Sequence, residues 1–192
     1  DLVTSYWAGQ AIAHVFLSFG FSDGRHLAFS IETRRQKRFD YSTIAGFFHH
    51  YELFYVAADE RDLIGVRTDI RREHVYLYRL QLSAATRERL LRSYLSELHT
   101  LTTHPRWYNT LTANCTTEIL ARSGASPRWR LDWRVLLSGY TASLAYDIGL
   151  LDHHYPCETL QRLSLIQRPD DAKPSANDSQ EIREHLPLTD PR

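Results

Sequence analysis

Cys115 sits in TANCTTEILARSG, where polar helix-starting residues come directly before a helix-forming run. A thiol in the first turn of a helix meets unpaired backbone N–H groups and the positive end of the helix dipole, and both favour thiolate over thiol. The same N–H groups can hold the oxyanion of an acyl-transfer intermediate. The suggested chemistry is nucleophilic attack. The competing reading is a small buried cysteine, which is the commoner fate of that residue.

A nucleophilic thiol needs a base, and an early hairpin offers one. Residues 13–21 (AHVFLSFGF) and 26–32 (HLAFSIE) alternate in polarity, and Ser22, Asp23 and Gly24 between them are turn formers. A three-residue loop with Gly24 left-handed sets Val15, Leu17 and Phe19 against Ile31, Phe29 and Leu27 on one face. His14, Phe16, Ser18 and Gly20 then share the other face with Glu32, Ser30, Ala28 and His26. A two-residue loop mixes the two sets. The register predicts His14 directly across from Glu32, a carboxylate able to orient the imidazole as the third member of a triad. The plainer alternative is a structural strand histidine facing a solvated glutamate.

Other motifs carry less. Gly20-Phe21-Ser22-Asp23-Gly24 fits GxSxG, but a nucleophile elbow needs a helix after the serine and a strand follows here. Arg34, Arg35, Lys37 and Arg38 form a basic run after the second hairpin strand, either a solvated loop or a contact for an anionic headgroup or phosphate. Asp59-Glu60-Arg61-Asp62 reads as a salt-bridged turn rather than a catalytic carboxylate pair. Trp107 and Tyr108 either wall a pocket or fill core. The second cysteine, Cys157, allows one disulfide with Cys115 at most, and the two settings differ. There are 10 histidines but no HExxH, HxH or Cys/His quartet, so no metal or other cofactor is expected.

The elements that must position these groups follow from pattern. Further strands are predicted at 51–57, 63–67 and 74–80, giving a mainly antiparallel sheet of about five strands, with connections too short for crossover helices. Ser83 can cap a helix through about residue 101, with Leu90, Leu91, Tyr94, Leu95, Leu98 and Leu101 as its apolar face. A second helix is predicted from Asn114 or Cys115 to Gly124. A third is predicted within 132–147, where Trp133, Leu136, Leu137, Tyr140 and Leu144 recur at helical spacing and read as core. Residues 1–168 form the expected domain. Residues 169–192, rich in Asp, Pro, Ser and Asn, read as a polar linker or disordered tail.

The totals agree with one globular domain: 192 residues, 43% hydrophobic and 12% aromatic. Lys plus Arg and Asp plus Glu both count 23, so no global field favours nucleic acid, which is excluded as a partner. No apolar run approaches the roughly 18 to 20 residues that span a bilayer. With no methionine, Asp1 is not expected to be a translation start, and a signal or anchor is expected upstream.

SYWAGQAIAHVFLSFGFSDGRHLAFSIETRR, YELFYVAADERDLIGVRT, VYLYRL, WYNTLTANCTTEI and LLSGY closely resemble, in this order, the bacterial Lnb N-terminal periplasmic domain family, from about Asp1 to about Leu165. The name implies a periplasmic location, and membrane attachment upstream of this chain. That family in turn resembles the circularly permuted papain-like enzymes of the lecithin:retinol acyltransferase type. In these, a histidine on an early strand precedes a cysteine at the start of a later helix. His14 and Cys115 match that order, and Asn114 matches the Asn-Cys pair of the acyltransferase branch.

The resemblance implies an α+β papain-like fold, an antiparallel sheet packed against helices. It implies acyl chemistry through a thioester on a lipid or lipoprotein substrate, with Cys115 and His14 catalytic; the hairpin register, not the resemblance, adds Glu32 as the third catalytic residue. Asn114, Ser30, Arg34, Trp107 and Tyr108 are the candidate substrate-binding residues. The alternatives are a cell-wall amidase or peptidase of papain-like type, and a non-catalytic binding domain that retains the fold.

Overall fold

The structure, a computed structural model, describes residues 1–6, 9–34, 52–105, 115–123, 129 and 132–189, without the side chains of Thr33, Arg34, Glu52, Cys115 and Glu118. Its fold is α+β: one five-stranded antiparallel sheet with helices packed on it. The strands are β1 (Leu2–Tyr6), β2 (Ala13–Gly20), β3 (His26–Arg34), β4 (Glu52–Asp59) and β5 (His74–Tyr78), in the order β4-β3-β2-β1-β5.

The β2–β3 hairpin has the register that alternation predicts. Phe16 pairs with Ser30 and Leu17 with Phe29. The loop is three residues long: Phe21 N–H donates to Arg25 O at 2.9 Å, and Gly24 takes φ +83°. That left-handed backbone is open to glycine at little cost, which is why the turn can close there.

β1 is a strand that pattern reading misses; it pairs with β2 on one side and β5 on the other. The expected strand at 63–67 is instead part of a helix, α1 (Arg61–Ile70), wound as a π-helix with Arg71 N–H reaching Val66 O at 3.0 Å. The reason lies in the strand order. β4 and β5 occupy opposite edges, so residues 60–73 must cross four strand spacings, about 19 Å. A short β-branched run cannot pair and cross at once, and the crossing helix buries Ile64 on the sheet.

Ser83 caps α2 (Ala84–Thr103) by accepting from Thr86 N–H at 3.3 Å. Leu90 and Tyr94 face the core, with Leu91, Leu98 and Leu101 at its margin, while Leu95 is exposed, contrary to the expected apolar face. α3 (Cys115–Arg122) begins where the sequence predicts; Gly124 lies outside the described residues. The apolar stretch 132–147 is not one helix. It makes two 3-10 turns, Trp133–Val135 and Ser138–Tyr140, before α4 (Thr141–Asp147). Ser138 and Gly139 are bound to the backbone of residues 11–13, which interrupts the helix and leaves Trp133, Leu136 and Leu137 exposed rather than core.

Two hydrophobic layers flank the sheet. On one face Val15, Leu17, Phe29 and Ile31 share a core with Leu90 and Tyr94 of α2, Ile119 and Leu120 of α3, Leu144 of α4 and Leu160 of α5 (Cys157–Leu163). On the other, Val3, Phe16, Ala28, Val75 and Leu77 meet Ile64, Ile166 and Ile182.

The C-terminal stretch, a linker by composition, is packed against this second face. It carries a short helix, α6 (Asp178–Glu181). Arg168 binds Asp69 at 2.8 Å and Asp178 at 3.1 Å, and Arg183 binds buried Glu60 at 2.7 Å. Polar residues that composition marks as solvated are here partners for buried acids, a pairing invisible to composition. Among the described residues no helix is long and apolar enough to cross a membrane.

Candidate functional site

His14 stands on β2 two residues from the Phe16–Ser30 pair, which sets it opposite Glu32. Its Nε2 lies 2.6 Å from Ser30 Oγ and 3.1 Å from Glu32 Oε1, and Ser30 Oγ donates to the same Glu32 oxygen at 2.6 Å. Burial would raise the Glu32 carboxyl, but the hydrogen bond and charge of His14, with Ser30 and Arg67, outweigh it and hold the group at about 2. Glu32 is therefore a carboxylate near neutral pH and can only accept. Ser30 gives its one proton to that carboxylate, so Nε2 must carry a hydrogen to satisfy both neighbours. In the neutral ring Nδ1 is then the basic nitrogen.

A second rank of charge stands behind Glu32. Arg67, from α1, lies 3.5 Å from Glu32 Oε1 and 3.1 Å from Glu73 Oε2, with its guanidinium 5.6 Å from the Phe16 ring centre. Ser5, paired with His14 across β1 and β2, donates to Glu73. Sequence pattern alone does not mark Arg67, Glu73 or Ser5. The available signal was Ser5 at the opposing strand position, and reading it required β1 and the crossing helix.

Cys115 is the first residue of α3, as its setting predicts. The start of that helix is tied to the strand that bears His14. Thr116 Oγ1 lies 2.8 Å from Thr141 Oγ1, Thr141 donates to Ser138 O at 2.8 Å, and Ser138 donates to Ala13 O at 2.6 Å. Cys115 and His14 thus belong to the same end of the sheet. They approach it from different sides: α3 packs through Ile119 and Leu120 on the Val15–Leu17 face, while the His14 ring projects from the Phe16 face.

Of the other predicted residues, Ser30 joins the cluster. Asn114, Trp107, Tyr108, Arg35, Lys37 and Arg38 lie outside the described residues, as do the side chains of Arg34 and Cys115. Ser22 sits in the hairpin turn with strands on both sides, so its GxSxG match has no elbow geometry. Asp59–Asp62 is not a turn but the junction of β4 with α1, where Arg61 lies 3.4 Å from Asp62 and Glu60 turns inward to Arg183 and Ser18. Cys157 is a free thiol at the start of α5, and burial pushes its pKa up, with Asp147 adding to the rise. It therefore disfavours thiolate although it too begins a helix.

Beside the cluster, a cleft of about 710 Å³ is lined by Glu73, Tyr6, His74, Gly139 and Tyr140. Tyr6 Oη closes one wall by donating to Gly139 O at 2.5 Å. A second cavity, about 450 Å³, lies at the other end of the sheet by Phe21 and His26. Among the described residues no group of three or more His, Cys, Asp or Glu side chains could hold a metal ion.

Neither the curated proteins nor the solved structures offer a match to the chain. Residues 1–139 match the model of the Lnb N-terminal periplasmic domain, and the chain accordingly belongs to that family of bacterial periplasmic domains.

Proposed function

We propose that this domain is a cysteine-dependent acyltransferase or hydrolase of the bacterial envelope, with Cys115 as nucleophile, His14 as base and Glu32 as the carboxylate that orients it. The observation that carries the reading is the His14–Ser30–Glu32 arrangement at the sheet end to which the start of α3 is tied. With Nε2–H given to Ser30 and Glu32, Nδ1 is left to take the thiol proton. The order of histidine strand and cysteine helix supports a permuted papain-like relationship.

In the proposed reaction the Cys115 thiolate attacks an ester carbonyl of a lipid or lipoprotein. The carbonyl oxygen becomes an oxyanion that the first N–H groups of α3 can hold. Collapse expels the alcohol, protonated by the His14 imidazolium, and leaves a thioester. An amine or water, deprotonated by His14, then attacks the thioester and regenerates the thiol. The thiol has to reach Nδ1 around the Ala13 end of β2, since α3 and the imidazole occupy different faces of the sheet.

That same difference of faces favours a second reading, in which His14, Ser30, Glu32 and Arg67 form a structural polar cluster and the domain binds without catalysing. Iodoacetamide labelling at mildly acidic pH separates the two. Wild type and Cys157→Ala should label rapidly, and Cys115→Ala and His14→Ala should not. Labelling of Cys115 at the same slow rate with and without His14 defeats the catalytic reading. For the active protein, release of fatty acyl groups from a diacylglyceryl lipopeptide, set against cleavage of a cell-wall stem peptide, separates acyl transfer from amidase action.

A further inference from the structure

Helical spacing marks Trp133, Leu136 and Leu137 as core, yet they are 58%, 46% and 36% exposed. Ile12, 40% exposed, belongs to the same surface. Ser138 holds both backbone groups of Ala13, receiving its N–H at 3.0 Å and donating to its carbonyl, and Gly139 N–H binds Ala11 O at 3.1 Å. These bonds press the 136–139 turn onto the strand entry that carries Ile12. Leu136 N–H in turn binds Trp133 O at 3.0 Å, so the four apolar side chains sit within one knot of backbone.

The patch adjoins positive charge. The Trp133 ring meets Tyr140 edge to face at 5.1 Å, and Tyr140 lines the 710 Å³ cleft that also holds Arg71 and His74. Arg71 is 55% exposed, and Glu73, 3.8 Å from it, is bound more closely by Arg67 and Ser5. Arg72 adds a second positive charge while binding the Pro169 and Asp170 carbonyls. Beside the patch Arg134 binds both Asp132, at 2.7 Å, and Asp147, at 2.6 Å, and so offsets one of these two negative charges.

We propose that this surface docks the domain on a bilayer containing anionic phospholipid. Trp133, Leu136, Leu137 and Ile12 enter the boundary between headgroups and acyl chains, and Arg71 with His74 meets lipid phosphate. Three observations select a lipid surface. Tryptophan beside leucine at an exposed turn is the composition that settles at membrane interfaces. The exposed guanidinium of Arg71, only loosely paired with Glu73 at 3.8 Å, stands next to apolar surface and complements anionic headgroups. Four partly exposed side chains are far short of the ~800 Å² per partner that a stable protein interface needs. The docking requires no chemistry at Cys115. It also brings the sheet end bearing His14 to the membrane surface, because Ile12 directly precedes β2 and His14 is the second residue of that strand.

The test is co-sedimentation of the whole chain with vesicles of phosphatidylcholine, with and without phosphatidylglycerol. Wild type should partition onto the anionic vesicles, and less onto phosphatidylcholine alone. A W133S/L136S/L137S variant should lose at least about tenfold in partitioning, since three large apolar side chains no longer leave water. Arg71→Ala should lose the preference for phosphatidylglycerol. Circular dichroism and the melting temperature check that the variants fold, and W133S alone serves if the triple variant does not. Iodoacetamide reactivity of Cys115 without lipid reports separately on the catalytic reading. The proposal is overturned if wild type ignores anionic vesicles, if the folded triple variant partitions equally, or if the substitutions abolish only a dimer seen in analytical ultracentrifugation.

Discussion

Replacing Glu32 by Gln tests the charge network at its centre. The carboxylate is held at about 2 against an ordinary 4.5, a difference worth about 3 kcal/mol of stability when the group is ionised. Glu32 is 30% exposed, so solvent screens part of the interaction and about 2 kcal/mol is the working figure. The sign follows from a folded-state value below the unfolded one. The contribution is complete above about pH 4.5 and is lost as pH falls from there toward 2. Glu32→Gln keeps the shape and removes the charge. Urea unfolding at neutral pH should give a free energy lower by about 2 kcal/mol, with the gap between variant and wild type narrowing steadily below pH 4.5. A gap under about 0.5 kcal/mol at neutral pH, or one that does not change on acidification, would refute the view that His14, Ser30 and Arg67 hold this carboxylate ionised.

Two further perturbations test the frame around the site. A Cβ on Gly139 would stand 1.9 Å from the Gln10 carbonyl oxygen, so Gly139→Ala should cost about 1 to 3 kcal/mol in urea unfolding and should slow Cys115 labelling by loosening the turn behind Thr141. An unchanged midpoint would show that the turn is not pressed against residues 10 and 11. Ile182→Ala should cost about 3 kcal/mol within a single cooperative transition, because Ile182 is buried among Phe16, Ile64 and Ile166. A loss below about 0.5 kcal/mol would mean that the C-terminal stretch is not part of the core.

Local sequence alone determined the β2–β3 hairpin, its loop length and its faces, because a two-residue period and a left-handed glycine leave one register that separates polar from apolar side chains. The His14–Glu32 apposition follows from that register, and so is legible in the sequence itself. The Ser83 cap and the start of α3 at Cys115 were equally local, since a helix terminus is written in its own first turn.

What crossed the molecule could be settled only by tertiary structure. LIGVR suits a strand or a helix, and the placement of β4 and β5 at opposite edges decided for the helix that delivers Arg67 to Glu32 and Glu73. Trp133, Leu136 and Leu137 have the spacing of a buried face, but the grip of Ser138 and Gly139 on residues 11–13 breaks the helix before that face can form. Arg168 and Arg183 look solvated until Asp69 and Glu60 are seen to be buried beneath them. Periodicity and capping are properties of neighbours in the chain. Crossing paths and buried ion pairs depend on which distant residues the fold brings together, and no short window of sequence contains both partners.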